Sequence, residues 1–170
     1  MFTCLLFWRD VFSPACWRGE GEGVMQDRTP SKGMPRSILV AQEDGIVSTF
    51  LTRVLALQGY RVLSAADAKT ARVLFHKHAR DLVLLLSDIV LPDESGLEFV
   101  ESIPTRLPRI PVIFLSGLGE NEVESKVREN FPVLQKPFTA TQLLRSAKAA
   151  ICRFYLDAKG GDIRLVPAMV

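Results

Sequence analysis

The chain predicts an α/β fold, a five-stranded doubly wound parallel sheet with helices on both faces. Two observations carry that prediction. Short apolar runs alternate five times with stretches of helical spacing, the pattern of parallel strands joined by crossover helices. The central run, Leu82-Val83-Leu84-Leu85-Leu86-Ser87, is apolar almost throughout rather than alternating, as a strand covered on both faces must be. The natural doubly wound strand order here is 2-1-3-4-5, with the functional crevice at the switch between the first and third strands.

Each element has its own local cause. Ile38-Leu39-Val40-Ala41 is the first strand and ends in Gln42-Glu43-Asp44. Over 46–58, Val47, Phe50, Leu51, Val54 and Leu55 recur at helical spacing, and Gly59 stands where a helix cap belongs. Tyr60-Arg61-Val62-Leu63-Ser64 is the second strand. Asp67 is placed to cap a helix running to His78, with Ala71, Leu74 and Phe75 inward. The 82–87 strand ends on Asp88, followed by the turn Pro92-Asp93-Glu94-Ser95-Gly96 and a short helix with Leu97, Val100 and Ile103 inward. Pro104 and Pro108 mark a loop. Pro111-Val112-Ile113-Phe114-Leu115 is the fourth strand and runs into Ser116-Gly117. A charged helix over 120–130 has few apolar residues, chiefly Val123 and Val127, which predicts a loosely held element. Val133-Leu134-Gln135 leads into Lys136-Pro137-Phe138 and a last helix over 139–155, with Leu143, Leu144, Ala147, Ala150 and Ile151 inward.

Composition bounds the rest. Of the residues, 48% are hydrophobic and 24% charged, which is globular rather than disordered. The chain divides into an extension over 1–36, one domain over 37–155 and a tail over 156–170, with no second domain and no internal repeat. A translation start at Met25 or Met34 rather than Met1 is the expectation for this extension. The apolar opening Met1-Phe2-Thr3-Cys4-Leu5-Leu6-Phe7-Trp8 is too short to span a bilayer and lacks the marks of a signal peptide. The basic excess beyond residue 140 is scattered, which argues against nucleic-acid binding. Cys4, Cys16 and Cys152 are far apart without metal-ligand spacing, as expected of a reduced, cytoplasmic protein. His76 and His78 stand two apart on a helix and face different ways, so they do not form a metal pair.

The chemistry gathers at the strand ends. Glu43, Asp44 and Asp88 bring carboxylates to one edge of the sheet, Ser116 a hydroxyl and Lys136 an ammonium. Clustered carboxylates share a proton or bind a cation, and hard oxygen donors favour Mg2+. Magnesium bridges carboxylates to phosphate oxygens, and phosphoryl transfer needs mainly positioning and charge neutralisation. Asp88 is placed to be the nucleophile that forms an aspartyl phosphate.

These motifs, in this order and spacing, resemble the receiver domain of two-component response regulators over residues 37–151. The carriers are the first strand with its acids, Ser87-Asp88-Ile89-Val90-Leu91-Pro92 with Gly96, Phe114-Leu115-Ser116-Gly117, and Gln135-Lys136-Pro137-Phe138. The resemblance implies a flavodoxin-like, receiver-type fold and a phosphorelay signalling role rather than turnover of a substrate. It implies Asp88 as phosphoacceptor, Lys136 on the phosphate and Ser116 as switch hydroxyl. It implies Mg2+ held by Glu43, Asp44, Asp88 and the Val90 backbone carbonyl, and a cis peptide before Pro137. The implied partners are a sensor histidine kinase or histidine phosphotransfer protein and an unidentified downstream protein, with no direct nucleic-acid or membrane binding.

Three departures from the family pattern stand out. The two positions usually acidic after the first strand fall on Gln42 and Glu43, with Asp44 third. The usual switch aromatic, three residues before the lysine, is replaced by Val133, with Phe131 in another register. No output domain is expected in the stretch after residue 155. A rival expectation rests on Gln42 and Val133: a receiver-like scaffold that binds a partner without being phosphorylated. A phosphatase on a similar fold is disfavoured, because the acid such enzymes carry two residues after the nucleophile is Val90 here. Glu43-Asp44 also has a purely structural reading, as acids favouring the start of a helix.

Overall fold

The C-terminal ends of five parallel strands form one rim, and the topology decides which residues meet there. A computed structural model describes residues 36–104, 110–117, 119, 123 and 125–157. The strands are β1 (Ser37–Ala41), β2 (Arg61–Ala65), β3 (Leu82–Asp88), β4 (Val112–Ser116) and β5 (Val133–Gln135). The helices are α1 (Gly45–Ala56), α2 (Ala68–His78), α3 (Gly96–Glu101), α4 (Ser125–Asn130) and α5 (Ala140–Asp157). Every strand pairing is parallel and the sheet order is β2-β1-β3-β4-β5, as expected. The expectations for 1–35, including the start at Met1, Met25 or Met34, and for 158–170 lie outside the described residues.

Two apolar layers cover the sheet. On one face Leu51 and Leu55 of α1, with Leu143, Ala147 and Ile151 of α5, pack against Ile38, Val40, Leu84, Leu86, Ile113 and Leu115. On the other, Ala68, Ala71 and Phe75 of α2, with Phe99 of α3, pack against Leu39, Ala41, Leu63 and Leu85. Ile89, Leu97, Phe114, Val123 and Val127 close that face beneath α4. All seven residues of β3 are buried, which explains its unbroken apolar run.

Caps fix the helix starts. The Asp67 carboxylate accepts from Thr70 N at 2.6 Å, the predicted N-cap. Ser95 caps α3 in a reciprocal box with Glu98, the Ser95 hydroxyl accepting from Glu98 N and the Glu98 carboxylate from Ser95 N. Gly59 adopts φ 84°, the left-handed conformation that ends the α1 turn.

Two aromatic side chains sit where periodicity did not put them. Phe99 is fully buried although the expected stripe of α3 was Leu97, Val100 and Ile103. Helix α3 is only six residues long and covered on two sides, so a single stripe does not describe it. The Arg72 guanidinium of α2 lies over the Phe99 ring at 5.6 Å. Phe131 meets Phe114 edge-on at 5.2 Å and so belongs to the core beneath α4. Val133 is half-buried against the same cluster.

Candidate functional site

Register alone brings the site together. Ala41 pairs with Ser87, so the next residues, Gln42 and Asp88, leave β1 and β3 side by side. Ser116 pairs with Gln135, so Lys136 follows directly, its backbone N donating to Ser116 O at 2.7 Å. The Gln42 backbone N donates to Ala65 O at 2.9 Å, extending the β1–β2 ladder to the rim.

Asp88 is 8% exposed, and its Oδ1 is buried without a well-directed hydrogen bond. The Lys136 ammonium stands 2.6 Å from that oxygen. The same Nζ donates to Gln42 Oε1 at 2.9 Å, so one ammonium bridges an amide and a carboxylate. Burial raises the Asp88 carboxyl above the ordinary aspartate range. The hydrogen bond and charge of Lys136, and then the Gln42 amide, oppose that rise, while the negative charge of Asp44 adds to it. Desolvation wins, so this carboxylate gains by close approach of positive charge.

The three residues after β1 take different roles. Gln42 is 3% exposed and points into the site. Glu43 is exposed. Asp44 is the N-cap of α1, its Oδ1 accepting from Ile46 N at 2.8 Å and Val47 N at 3.3 Å. The helix-start reading of Asp44 therefore describes its side-chain bonds, and its charge still reaches Asp88. The sequence marked Gln42 as a missing acid. It missed that Gln42 would be the direct partner of Lys136, and the one signal for that is its position immediately after β1.

The loop after Asp88 is fixed closely. Gly96 N donates to Ile89 O at 2.7 Å, and Leu91 N to Glu94 O at 3.2 Å. Neither bond uses the Val90 carbonyl, and Val90 itself is 64% exposed. A Cβ on Gly96 would lie 2.0 Å from the Asp88 carbonyl oxygen, so only glycine lets α3 start against the phosphoacceptor candidate. Ser87 Oγ donates to that carbonyl at 3.0 Å. Farther out, the Asp93 carboxylate accepts from Ala68 N and Lys69 N at 2.8 and 2.9 Å, and Arg72 pairs with Glu94 and Ser102. The loop is thereby tied to α2. Ser116 is buried at the end of β4. The Lys136–Pro137 peptide is cis.

The fit of a divalent ion can be judged from the donors. Among the described residues, no group of three or more His, Cys, Asp or Glu side chains is assembled to hold a metal. The buried Asp88 carboxylate, a rim acid and the Val90 backbone carbonyl are hard oxygen donors, the kind that suit an ion keeping most of its waters. They do not build a dehydrated cage of carboxylates. By donor chemistry alone, hard oxygens suit Mg2+ better than a softer metal. No helix among the described residues is long and apolar enough to cross a membrane.

A family model described as the response regulator receiver domain matches residues 38–148. Response regulator RR06 of Streptococcus pneumoniae is 31% identical over 122 residues, covering 71% of this chain and 55% of that protein. Transcriptional regulatory protein PdtaR of Mycobacterium tuberculosis is 26% identical over 125 residues, covering 71% of this chain and 59% of that protein. The chain thus spans a little over half the length of these curated relatives. A crystal structure of a response regulator receiver domain protein from Clostridium thermocellum superposes with a TM-score of 0.63 at 25% identity, covering 71% of this chain and 97% of that one.

Proposed function

This chain belongs to the response regulator receiver domain family, and from that premise we propose that it is a phosphorylation-driven switch whose phosphoacceptor is Asp88. The observation that carries the proposal is a buried strand-end carboxylate with an ammonium 2.6 Å from its oxygen. The working unit is the 37–155 domain, with the 1–36 extension and 156–170 tail outside it.

The donor is a phosphohistidine of a sensor histidine kinase or histidine phosphotransfer protein. An Asp88 carboxylate oxygen attacks phosphorus, an O–P bond forms, and the N–P bond breaks with the imidazole leaving. Lys136 neutralises charge on the incoming group, which is the main work of phosphoryl transfer. When bound, Mg2+ supplies further charge neutralisation, and Asp88, Glu43, Asp44 through its charge, and the Val90 carbonyl are the groups that would hold it. The acyl phosphate adds negative charge at the rim, and Ser116 is the hydroxyl positioned to meet it. The response passes through β4 to α4, whose described inward side chains are few, and alters binding of a downstream protein. In this reading the protein is cytoplasmic, does not turn over a separate substrate, and has no direct nucleic-acid or membrane role.

The test is chemical trapping. The protein is incubated with Mg2+ and acetyl phosphate, trapped with borohydride and mapped by mass spectrometry. Label on Asp88 that is lost in Asp88→Asn supports the switch. The neutral Gln42, already engaged with Lys136, favours one rival: a scaffold that binds its partner unphosphorylated. Absence of label together with absence of beryllofluoride binding would favour that rival.

A further inference from the structure

The pocket holds one feature that the phosphoacceptor reading does not use. Gln42 occupies the strand end beside Asp88, where the family's pattern places an acid, and it is nearly fully buried. An ammonium has donors only, so the atom facing Lys136 must be the amide oxygen, as the 2.9 Å contact has it. Lys136 therefore has two acceptors on two neighbouring strands, Gln42 Oε1 and Asp88 Oδ1. The charge at the floor of the pocket is one carboxylate against one ammonium. The nearby Asp44 carboxylate is engaged with the amides that open α1, and Glu43 lies exposed.

We infer that Gln42 is a positioning residue that seats the Lys136 ammonium on Asp88 and, by standing as an amide where a carboxylate would otherwise be, sets a low affinity for divalent cations in the unphosphorylated pocket. The inference deepens the phosphoacceptor reading and rests on it only for its biological meaning, since the charge balance exists before any phosphoryl group arrives. A second carboxylate at this strand end would leave the floor with a net negative charge, and a cation would then compete with Lys136 for both acids. With the amide, the resting pair neutralises itself, and a cation gains most once phosphoryl oxygens add their own charge.

The test uses the full chain and Mn2+ as the probe, with free Mn2+ measured by electron paramagnetic resonance. Gln42→Glu and Gln42→Asp each restore one negative charge, and either one suffices if the other fails to fold by circular dichroism. Even at the dielectric of water, one added charge about 5 Å from a divalent ion is worth on the order of tenfold in affinity. Both acids are therefore expected to bind Mn2+ about tenfold or more tightly than the wild type. Gln42→Ala changes no charge and is expected to stay within about threefold of it. A merely structural role for Gln42 would move all three variants in the same direction. The same Gln42→Ala removes one acceptor of Lys136, so acetylation of Lys136 by a small reagent, read by mass spectrometry against the other lysines, is expected to quicken severalfold. Acid variants no tighter than the wild type, or unchanged Lys136 labelling in Gln42→Ala, overturn the inference. If Asp88 accepts phosphoryl but the acids bind no tighter, the function stands and this inference falls. Tighter Mn2+ with no labelling of Asp88 is the reverse case.

Discussion

Replacing Gly96 by alanine tests how far the site depends on backbone contact. The added Cβ would lie 2.0 Å from the Asp88 carbonyl oxygen, 3.1 Å from its carbonyl carbon and 3.0 Å from Ser87 Oγ. Ordinary carbon–oxygen contacts begin near about 3.3 Å, so the start of α3 and the end of β3 must part by roughly 1.3 Å. No rotamer change relieves this, because the obstructing atom is main chain. Overpacking of this kind costs about 1–3 kcal/mol, and a backbone clash belongs at the upper end. The Gly96 N to Ile89 O bond, 2.7 Å long, would stretch or break, at about 0.5–1.5 kcal/mol. The better helix propensity of alanine returns roughly 0.5–1 kcal/mol. The net loss is about 2–3 kcal/mol, or a fall of roughly 10 °C in melting temperature for a domain of this size. Because the displaced atoms belong to Asp88, labelling by acetyl phosphate should also slow, on the order of a hundredfold for a shift near 1 Å. The control is Gly45→Ala at the start of α1, where an added Cβ meets nothing within 4 Å. Thermal melts followed by circular dichroism, and trapping of the acyl phosphate, are the assays. Gly96→Ala melting within about 2 °C of Gly45→Ala would refute the reasoning.

Three further outcomes are expected. Burial raises the Asp88 carboxyl above its ordinary value of 3.8, so its contribution to stability is fullest below that value and is lost as pH rises through the higher folded value. Asp88→Asn should accordingly melt higher than the wild type at pH 7, with the difference shrinking as pH falls toward 3.8; melts across that range that run parallel would contradict the sign. Phe114 is fully buried and meets Phe131 edge-on, so Phe114→Ala should cost about 3–5 kcal/mol in urea denaturation, and a loss under about 1 kcal/mol would mean the core beneath α4 collapses freely. Lys136→Ala should keep the fold while disconnecting Asp88 phosphorylation from any structural response, read as amide shift changes in α4 on adding beryllofluoride. Wild-type shift changes in that variant would remove Lys136 from the switch.

The sequence by itself determined the fold class, the strand order and the identity of Asp88, Ser116 and Lys136 as rim residues. It could do so because parallel pairing and buried strands leave local marks: unbroken apolar runs, helical stripes between them, and polar residues where each run stops. It also determined the Asp67 cap and the inward stripes of α1, α2 and α5, which rest on short-range spacing. Only the tertiary structure decided among Gln42, Glu43 and Asp44. Three consecutive residues at a strand-to-helix junction cannot all face the crevice. The choice depends on where β1 stops pairing with β2 and where α1 finds its cap, and the Asp44 carboxylate is engaged by two orphan amides of that helix. The burial of Phe99, the seat of Phe131 on Phe114 and the approach of Gly96 to Asp88 were likewise set by neighbours distant in sequence. Periodicity records which face of an element is apolar. It holds no information on what stands opposite, and it is the opposing element that set the Gln42 amide, together with the Asp88 carboxylate, against the ammonium.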